Sequence, residues 1–349
     1  MKKYYCALIV ALALAAGCTA DQGVNYEQEV DRIFADYDGE QTPGAVVHVI
    51  RDGQPVLTRT YGLANIEERI PVTAETNFRL ASLSKQFTAM SILMLVDRGE
   101  LSLETTLTDV FPDFPEYGGR ITITNLLQHT SGLADYEPFV PEDSVVQVTD
   151  AGVLDLMRQQ DRTDFEPGSE HRYSNSGYAV LAMIVEHLSG QTYPEFLMQN
   201  IFEPLGMQNT VAHQDGISTV TNRAFGYHVT DDGVEFSDQS PWSAVLGDGG
   251  IYTSVVDLSL WDAALYADDL ISVDLKRQAF TPFLEDYGFG WRIDEYRGRL
   301  RMHHSGSTVG FRNFIQRFPD DRLTIIVLSN RRHPEVDPLA EKVADLFLR

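Results

Sequence analysis

Ala81-Ser82-Leu83-Ser84-Lys85 opens an apolar stretch, with Leu83, Phe87, Met90, Leu93, Met94 and Val96, that ends at Gly99. Apolar nearly all round, it reads as a buried central helix stopped by a glycine. Residues i and i+3 of a helix project from one face about a turn apart, so the Lys85 amine would stand beside the Ser82 hydroxyl. A free serine hydroxyl is a poor nucleophile at neutral pH and needs a neighbouring base, a role that a deprotonated Lys85 can fill. The helix amino end adds unpaired N–H groups and a positive dipole, which favour negative charge developing nearby. Lysine is scarce here: beyond residue 3 there are only Lys85, Lys276 and Lys342.

Outward from this helix the hydrophobic period changes twice. Upstream, Glu27 to Tyr37 carries Val30, Ile33, Phe34 and Tyr37 at helical spacing. Gly44 to Ile50 and Pro55 to Tyr61 are β-rich runs joined by Arg51-Asp52-Gly53-Gln54, a hairpin signal. From Glu104 to Glu285 the pattern is mostly helix and loop. It includes helices over Thr122 to His129 and Tyr178 to Leu188, and one from Ser254 with a capping box to Asp257. Strands return over Tyr287 to Ile293, Leu300 to Ser305, Phe311 to Phe318 and Leu323 to Ser329, with Pro319-Asp320-Asp321 turning the last pair. A helix from Glu335 to Leu348 closes the chain. Strands at both ends of a helical middle imply an α+β fold: an antiparallel sheet assembled from the two termini, flanked by helices, with an inserted, mostly helical domain. The expected divisions are residues 1–17 as signal peptide, 18–26 as tether, 27–103 plus 286–349 as a discontinuous sheet domain, and 104–285 as the helical domain.

Two further motifs accompany the Ser-x-x-Lys. Tyr173-Ser174-Asn175 is the only Tyr-x-Asn in the chain and His304-Ser305-Gly306 the only His-x-Gly. In this order the three resemble the serine β-lactamase and penicillin-binding-protein superfamily, in particular its class C-like branch of D-peptidases, esterases and β-lactamases. Leu126-Leu127-Gln128-His129-Thr130-Ser131-Gly132-Leu133, Pro204-Leu205-Gly206-Met207 and Gly249-Gly250 also look like segments of that family. The resemblance implies an active site in the cleft between sheet and helical region. There Tyr173 would relay a proton between nucleophile and leaving group, and Asn175 would hold the lysine and the substrate amide. It also implies an oxyanion hole from the backbone N–H groups of Ser82 and Ser307, and a strand edge at His304, Ser305 and Gly306 pairing with substrate, with Gly306 permitting close approach. Where members often have Lys-Thr-Gly, this chain has histidine, which near neutrality is charged only in part. Its pattern therefore looks more like D,D-carboxypeptidases, D-aminopeptidases and esterases than a dedicated β-lactamase.

Other candidates read as structural. Ser174 and Ser176 lie in the loop leading to the helix at Tyr178, His129 fixes a helix end, and Glu166 lies on the surface. Arg312 either reaches a substrate carboxylate or pairs with a surface acid. The chain lacks the Gly-x-Ser-x-Gly elbow of α/β-hydrolases.

The amino terminus reads as an export signal, Lys2 and Lys3 followed by an apolar run from Ala7 to Ala16, too short for a permanent span. It ends in Leu14-Ala15-Ala16-Gly17-Cys18, which looks like a bacterial lipobox with Cys18 as the lipidated residue. Thr19 after it resembles outer-membrane sorting, so the expected location is periplasmic, lipid-anchored to the outer membrane. With Cys6 lost in the leader, the mature chain has no disulfide, and its core must supply stability alone. The formal charge of −24 becomes −26 once the two leader lysines are gone, a surface that repels nucleic acid. No His-Glu-x-x-His or comparable spacing occurs, and adjacent His303 and His304 point to opposite faces of a strand; neither metal nor cofactor is expected. The expected partner is a small amide, peptide or ester. The rival readings are a β-lactamase and a catalytically silent lipoprotein binding peptides or cell-wall fragments.

Overall fold

Alternation along Ala45–Arg51 (β1) sends Ala45, Val47 and Val49 to one side and Val46 and Ile50 to the other, and both sides are buried. The structure, a computed structural model, describes residues 25–348; the expected signal peptide, Cys18 and most of the tether lie outside them. β1 pairs with Gln54–Tyr61 (β2) through the expected hairpin. The later strands Arg292–Tyr296 (β3), Arg299–Thr308 (β4), Phe311–Phe318 (β5) and Leu323–Ser329 (β6) complete one antiparallel sheet in the order β3-β4-β5-β6-β1-β2. The sheet thus closes where the carboxy-terminal strand β6 meets β1, Val47 opposite Val327.

Helices from both ends of the described chain, Tyr26–Ile33 and Asp337–Phe347, cover one face. Val30, Phe34, Val343 and Phe347 meet Val47, Val49, Ile325 and Val327 there. The opposite face supports the larger core, at whose centre runs Lys85–Asp97 (α1), with Phe87, Ile92 and Leu95 inaccessible to solvent. This is the mixed antiparallel architecture the sequence implies. A buried ion pair ties sheet to helices: Arg317 of β5 donates to Asp262 at 2.6 Å, both about 2% exposed, and Thr324 donates to the same carboxylate.

Several boundaries differ from expectation. The first strand of the carboxy-terminal meander begins at Arg292, not Tyr287. Gly290, in the left-handed region at φ +74°, brings this segment so close that an added Cβ would lie 2.9 Å from the Lys85 carbonyl oxygen, so 287–291 is packed behind α1 instead of paired. β4 runs on to Thr308, past the expected end at Ser305. The helix expected from Tyr178 starts at Asn175 (Asn175–Ser189, α2), because Ser174 Oγ accepts the Gly177 N–H and caps it three residues earlier. At Ser254 only half of the capping box forms: its hydroxyl accepts the Asp257 N–H, while the Asp257 carboxylate turns to Asn209 N–H and the Thr210 hydroxyl. The middle of the chain also holds short strands, including a three-stranded sheet of Phe78–Arg79, Ile251–Thr253 and Val211–Ala212. Among the described residues no helix is long and apolar enough to cross a membrane.

Candidate active site

Ser82 lies on a single 3-10 turn, Ala81–Ser84, and α1 proper begins at Lys85. The turn is entered through Ala81 at φ +52°, a backbone region that a non-glycine residue occupies at a cost and that recurs at functional sites. The first N–H groups of such a turn have no partner within it.

Lys85 is fully buried and its Nζ has three partners: Asn175 Oδ1 at 2.9 Å, the Asp248 backbone oxygen at 2.9 Å and Ser82 Oγ at 3.3 Å. Two of these can only accept, and the third, a hydroxyl, can donate. The amine is thus held by two carbonyl oxygens, with Ser82 Oγ as its third neighbour, able to accept from it or to donate to it. Asn175 is held in turn by donating from Nδ2 to Glu137 Oε1 at 3.1 Å. The half-buried Tyr173 ring lies beside the amine, its centroid 4.9 Å from Nζ, and its hydroxyl is buried with no partner among the described residues.

The geometry of β4 follows from its turns. Arg297 and Gly298, both at positive φ, form a two-residue hairpin, so Arg299 and every second residue after it direct their amide and carbonyl toward β3. β3 pairs only as far as His303, which leaves Ser305 and Ser307 aimed at an uncovered edge. Ser307 lines the same cleft as Ser82. Gly306 does serve a close approach, but to the turn that carries Ser82: a Cβ there would fall 2.1 Å from the Leu80 carbonyl oxygen.

His304 departs from expectation. It is 2% exposed, its Nδ1–H donates to Ser305 O at 2.6 Å, and its Nε2 accepts from the Tyr287 hydroxyl at 3.0 Å. Burial, above all, holds its pKa down at about 3. The ring is therefore neutral throughout the physiological range, not partly charged, and supplies no cation at this position. Arg312 pairs with Glu335 at 2.9 Å, Glu166 is on the surface beside Arg120, and Ser176 donates to Ala134 O.

The sequence reading missed the acidic wall of this cleft. Asp248 accepts from the Tyr136 hydroxyl through Oδ2 at 2.8 Å, while its Oδ1 has no partner among the described residues. Burial raises its carboxyl to about 6, against the opposing pull of Lys85. Glu137 is raised by burial and then by Asp135, and its Oε2 is likewise unpaired. Arg79 and Trp242 complete the lining, Arg79 donating to Ser243 O and lying over the Tyr252 ring. Only the flanking Gly249-Gly250 hinted at Asp248. A larger cleft of about 660 Å³, between 64–76 and 213–225, holds none of the candidate residues. Among the described residues no group of three or more His, Cys, Asp or Glu is placed to hold a metal ion.

A family model described as Beta-lactamase matches residues 30–348, and the chain belongs to that family. It is thus a serine hydrolase by family. It is 33% identical over 329 residues to Penicillin-binding protein 4* of Bacillus subtilis (strain 168), covering 88% of this chain and 72% of that protein. It is 30% identical over 299 residues to D-aminopeptidase of Brucella anthropi, covering 82% of this chain but only 56% of that longer one. Among solved structures, the octameric penicillin-binding protein homologue from Pyrococcus abyssi matches with a TM-score of 0.81 at 26% identity, over 93% of this chain and 76% of that one.

Proposed function

We propose that this protein is an exported hydrolase, tethered through a lipid on Cys18, that cleaves small D-amino-acid amides or peptides bearing a free amino group through an acyl-enzyme on Ser82. The observation that carries the chemistry is the set of three Lys85 partners, which suits an amine positioned to take the Ser82 proton. Ser82 Oγ attacks the carbonyl as its proton passes to Lys85, and the oxyanion rests on the N–H groups of Ser82 and Ser307. Tyr173 delivers a proton to the departing amine and recovers one from Lys85, the C–N bond breaks, and water then hydrolyses the ester. Asn175 holds the lysine in line, while Ser305 and Ser307 present the edge along which substrate lies.

The substrate class is supported by charge. Two carboxylates face one guanidinium in the cleft: Asp248 Oδ1 and Glu137 Oε2 are unpaired, while Arg79 donates from Nη2 to Ser243 O, lies over the Tyr252 ring and has Nε and Nη1 buried without a partner among the described residues, so acid outweighs base two to one. An ammonium group beside the scissile carbonyl complements the two acids, and the name of the D-aminopeptidase relative agrees with such a substrate. The carboxylate of a β-lactam would meet these acids with a neutral His304 in place of a lysine, which argues against a dedicated β-lactamase.

Comparison of kcat/KM for D-phenylalaninamide and its N-acetyl derivative tests the reading. A charge-assisted hydrogen bond contributes about 1.5–3 kcal/mol, so the free amine should be preferred by roughly 10- to 100-fold. Equal rates, or a preference for the acetylated compound, would contradict it.

A further inference from the structure

We infer that His129 is a positioning residue that holds Tyr173 in place for proton transfer, an inference that rests on the role proposed above for Tyr173. His129 grips the tyrosine's segment at three consecutive residues. Its carbonyl oxygen accepts the Arg172 N–H at 2.9 Å, its ring lies 4.2 Å from the Tyr173 ring at 39°, and its Nδ1 accepts the Ser174 N–H at 3.1 Å. One residue engages one strand of chain with both carbonyl and ring, and it does so from the left-handed region, at φ +57°. That conformation costs a non-glycine residue, and asparagine tolerates it better than most.

Packing alone does not account for the contacts. The residue is fully buried, where an aliphatic side chain fills space without requiring a polar partner. With Nδ1 accepting, the ring proton sits on Nε2, which has no hydrogen-bond partner among the described residues and lies among the rings of His171, Tyr178 and Tyr287. Burial first, then the nearby Lys85 and His304, keeps the imidazole neutral and so able to accept. The first turn of α2 is capped separately, by Ser174 Oγ accepting the Gly177 N–H, so Asn175 and its contact to Lys85 do not rest on the His129 ring.

The consequence is selective. Ammonia leaving an amide needs a proton, whereas p-nitrophenolate leaves without one. A slightly misplaced Tyr173 therefore slows amide cleavage and spares an activated ester. His129→Leu should lower kcat on D-phenylalaninamide on the order of 10²-fold, the usual cost of misplacement by about 1 Å, and change p-nitrophenyl butyrate turnover by less than about threefold. His129→Asn places an oxygen where Nδ1 stands and suits the left-handed backbone, so it should restore most of the amide rate. His129→Gly, which is unstrained there and lacks ring and acceptor, gives the same comparison should the leucine variant not fold. A parallel fall on both substrates, or an asparagine variant no better than leucine or glycine, overturns the inference. Fluorophosphonate labelling of each protein separates this from failure of the proposed function: a wild-type Ser82 that does not label removes the acyl-enzyme reading itself and this inference with it.

Discussion

At the scale of single residues, the contact of Ser82 with Lys85 was legible because a helix turn brings residues three apart together. Ser82 and Lys85 needed no tertiary information, and the structure puts them 3.3 Å apart. Asn175 was legible as a residue type, although its place as the first residue of α2 was hidden by the Ser-Asn-Ser-Gly run, whose composition favours turns. Asp248 and Glu137 were not legible, since each lies on its own connecting segment and only the fold brings them to one cleft. Their chemistry makes a prediction about pH. Asp248, raised to about 6, is a carboxylate above that value and neutral below it, so kcat/KM for a free-amine substrate should fall as pH drops through about 6. Asp248→Asn should abolish that limb and lower kcat/KM for D-phenylalaninamide about 10-fold while leaving the N-acetyl amide unaffected; an unchanged pH profile would rule Asp248 out as the titrating group. Lys85→Ala, in turn, should reduce kcat by roughly 10²- to 10⁴-fold, read as pre-steady-state acylation of Ser82.

At the scale of elements, β1, β2, β5 and β6 were legible as β-rich runs bounded by turn chemistry, although β1, β5 and β6 are buried along both faces and the edge strand β2 buries only Leu57 and Tyr61. The segment 287–291 looked like a strand for the same reason, but its glycines let it lie against α1, and that packing is non-local. The approach of β4 to the turn bearing Ser82 was equally hidden. Gly306→Ala places a methyl group into the Leu80 carbonyl, so the turn bearing Ser82 must shift. The expected outcome is a loss of about 1–3 kcal/mol in urea unfolding together with slower fluorophosphonate labelling. The Asp262–Arg317 pair joins sheet to helix in the dry interior, where removing one partner leaves an unpaired charge. Asp262→Ala should cost about 3–5 kcal/mol, measurable as a lowered denaturation midpoint.

At the scale of the whole molecule, strands at both ends of the sequence announced a sheet closed by the termini, and β1 does pair with β6. The buried histidines give the molecule a pH dependence that composition does not show. His48, bonded to Thr58 and Ser259, is held by burial at about 4, and His303 likewise at about 4. Below the unfolded value near 6.5 the unfolded chain takes up protons that these folded sites refuse, so each histidine removes stability as pH falls from about 6.5 to 4. Asp150 and Asp337, raised by burial to about 7 and 6, act in the opposite sense over much of that range, since the folded chain binds their protons first. The balance can be dissected with His48→Gln: between pH 7 and 5 it should lose about 2 kcal/mol less stability than the wild type in urea titrations. Identical slopes for the two proteins would show that His48 is protonated in the fold.

The central claim is that Ser82 is an activated nucleophile. Intact mass of the protein and of Ser82→Ala after treatment with a fluorophosphonate tests it directly. The account predicts a single adduct on the wild type and none on the variant; an adduct that survives the substitution, or none on either protein, would contradict it.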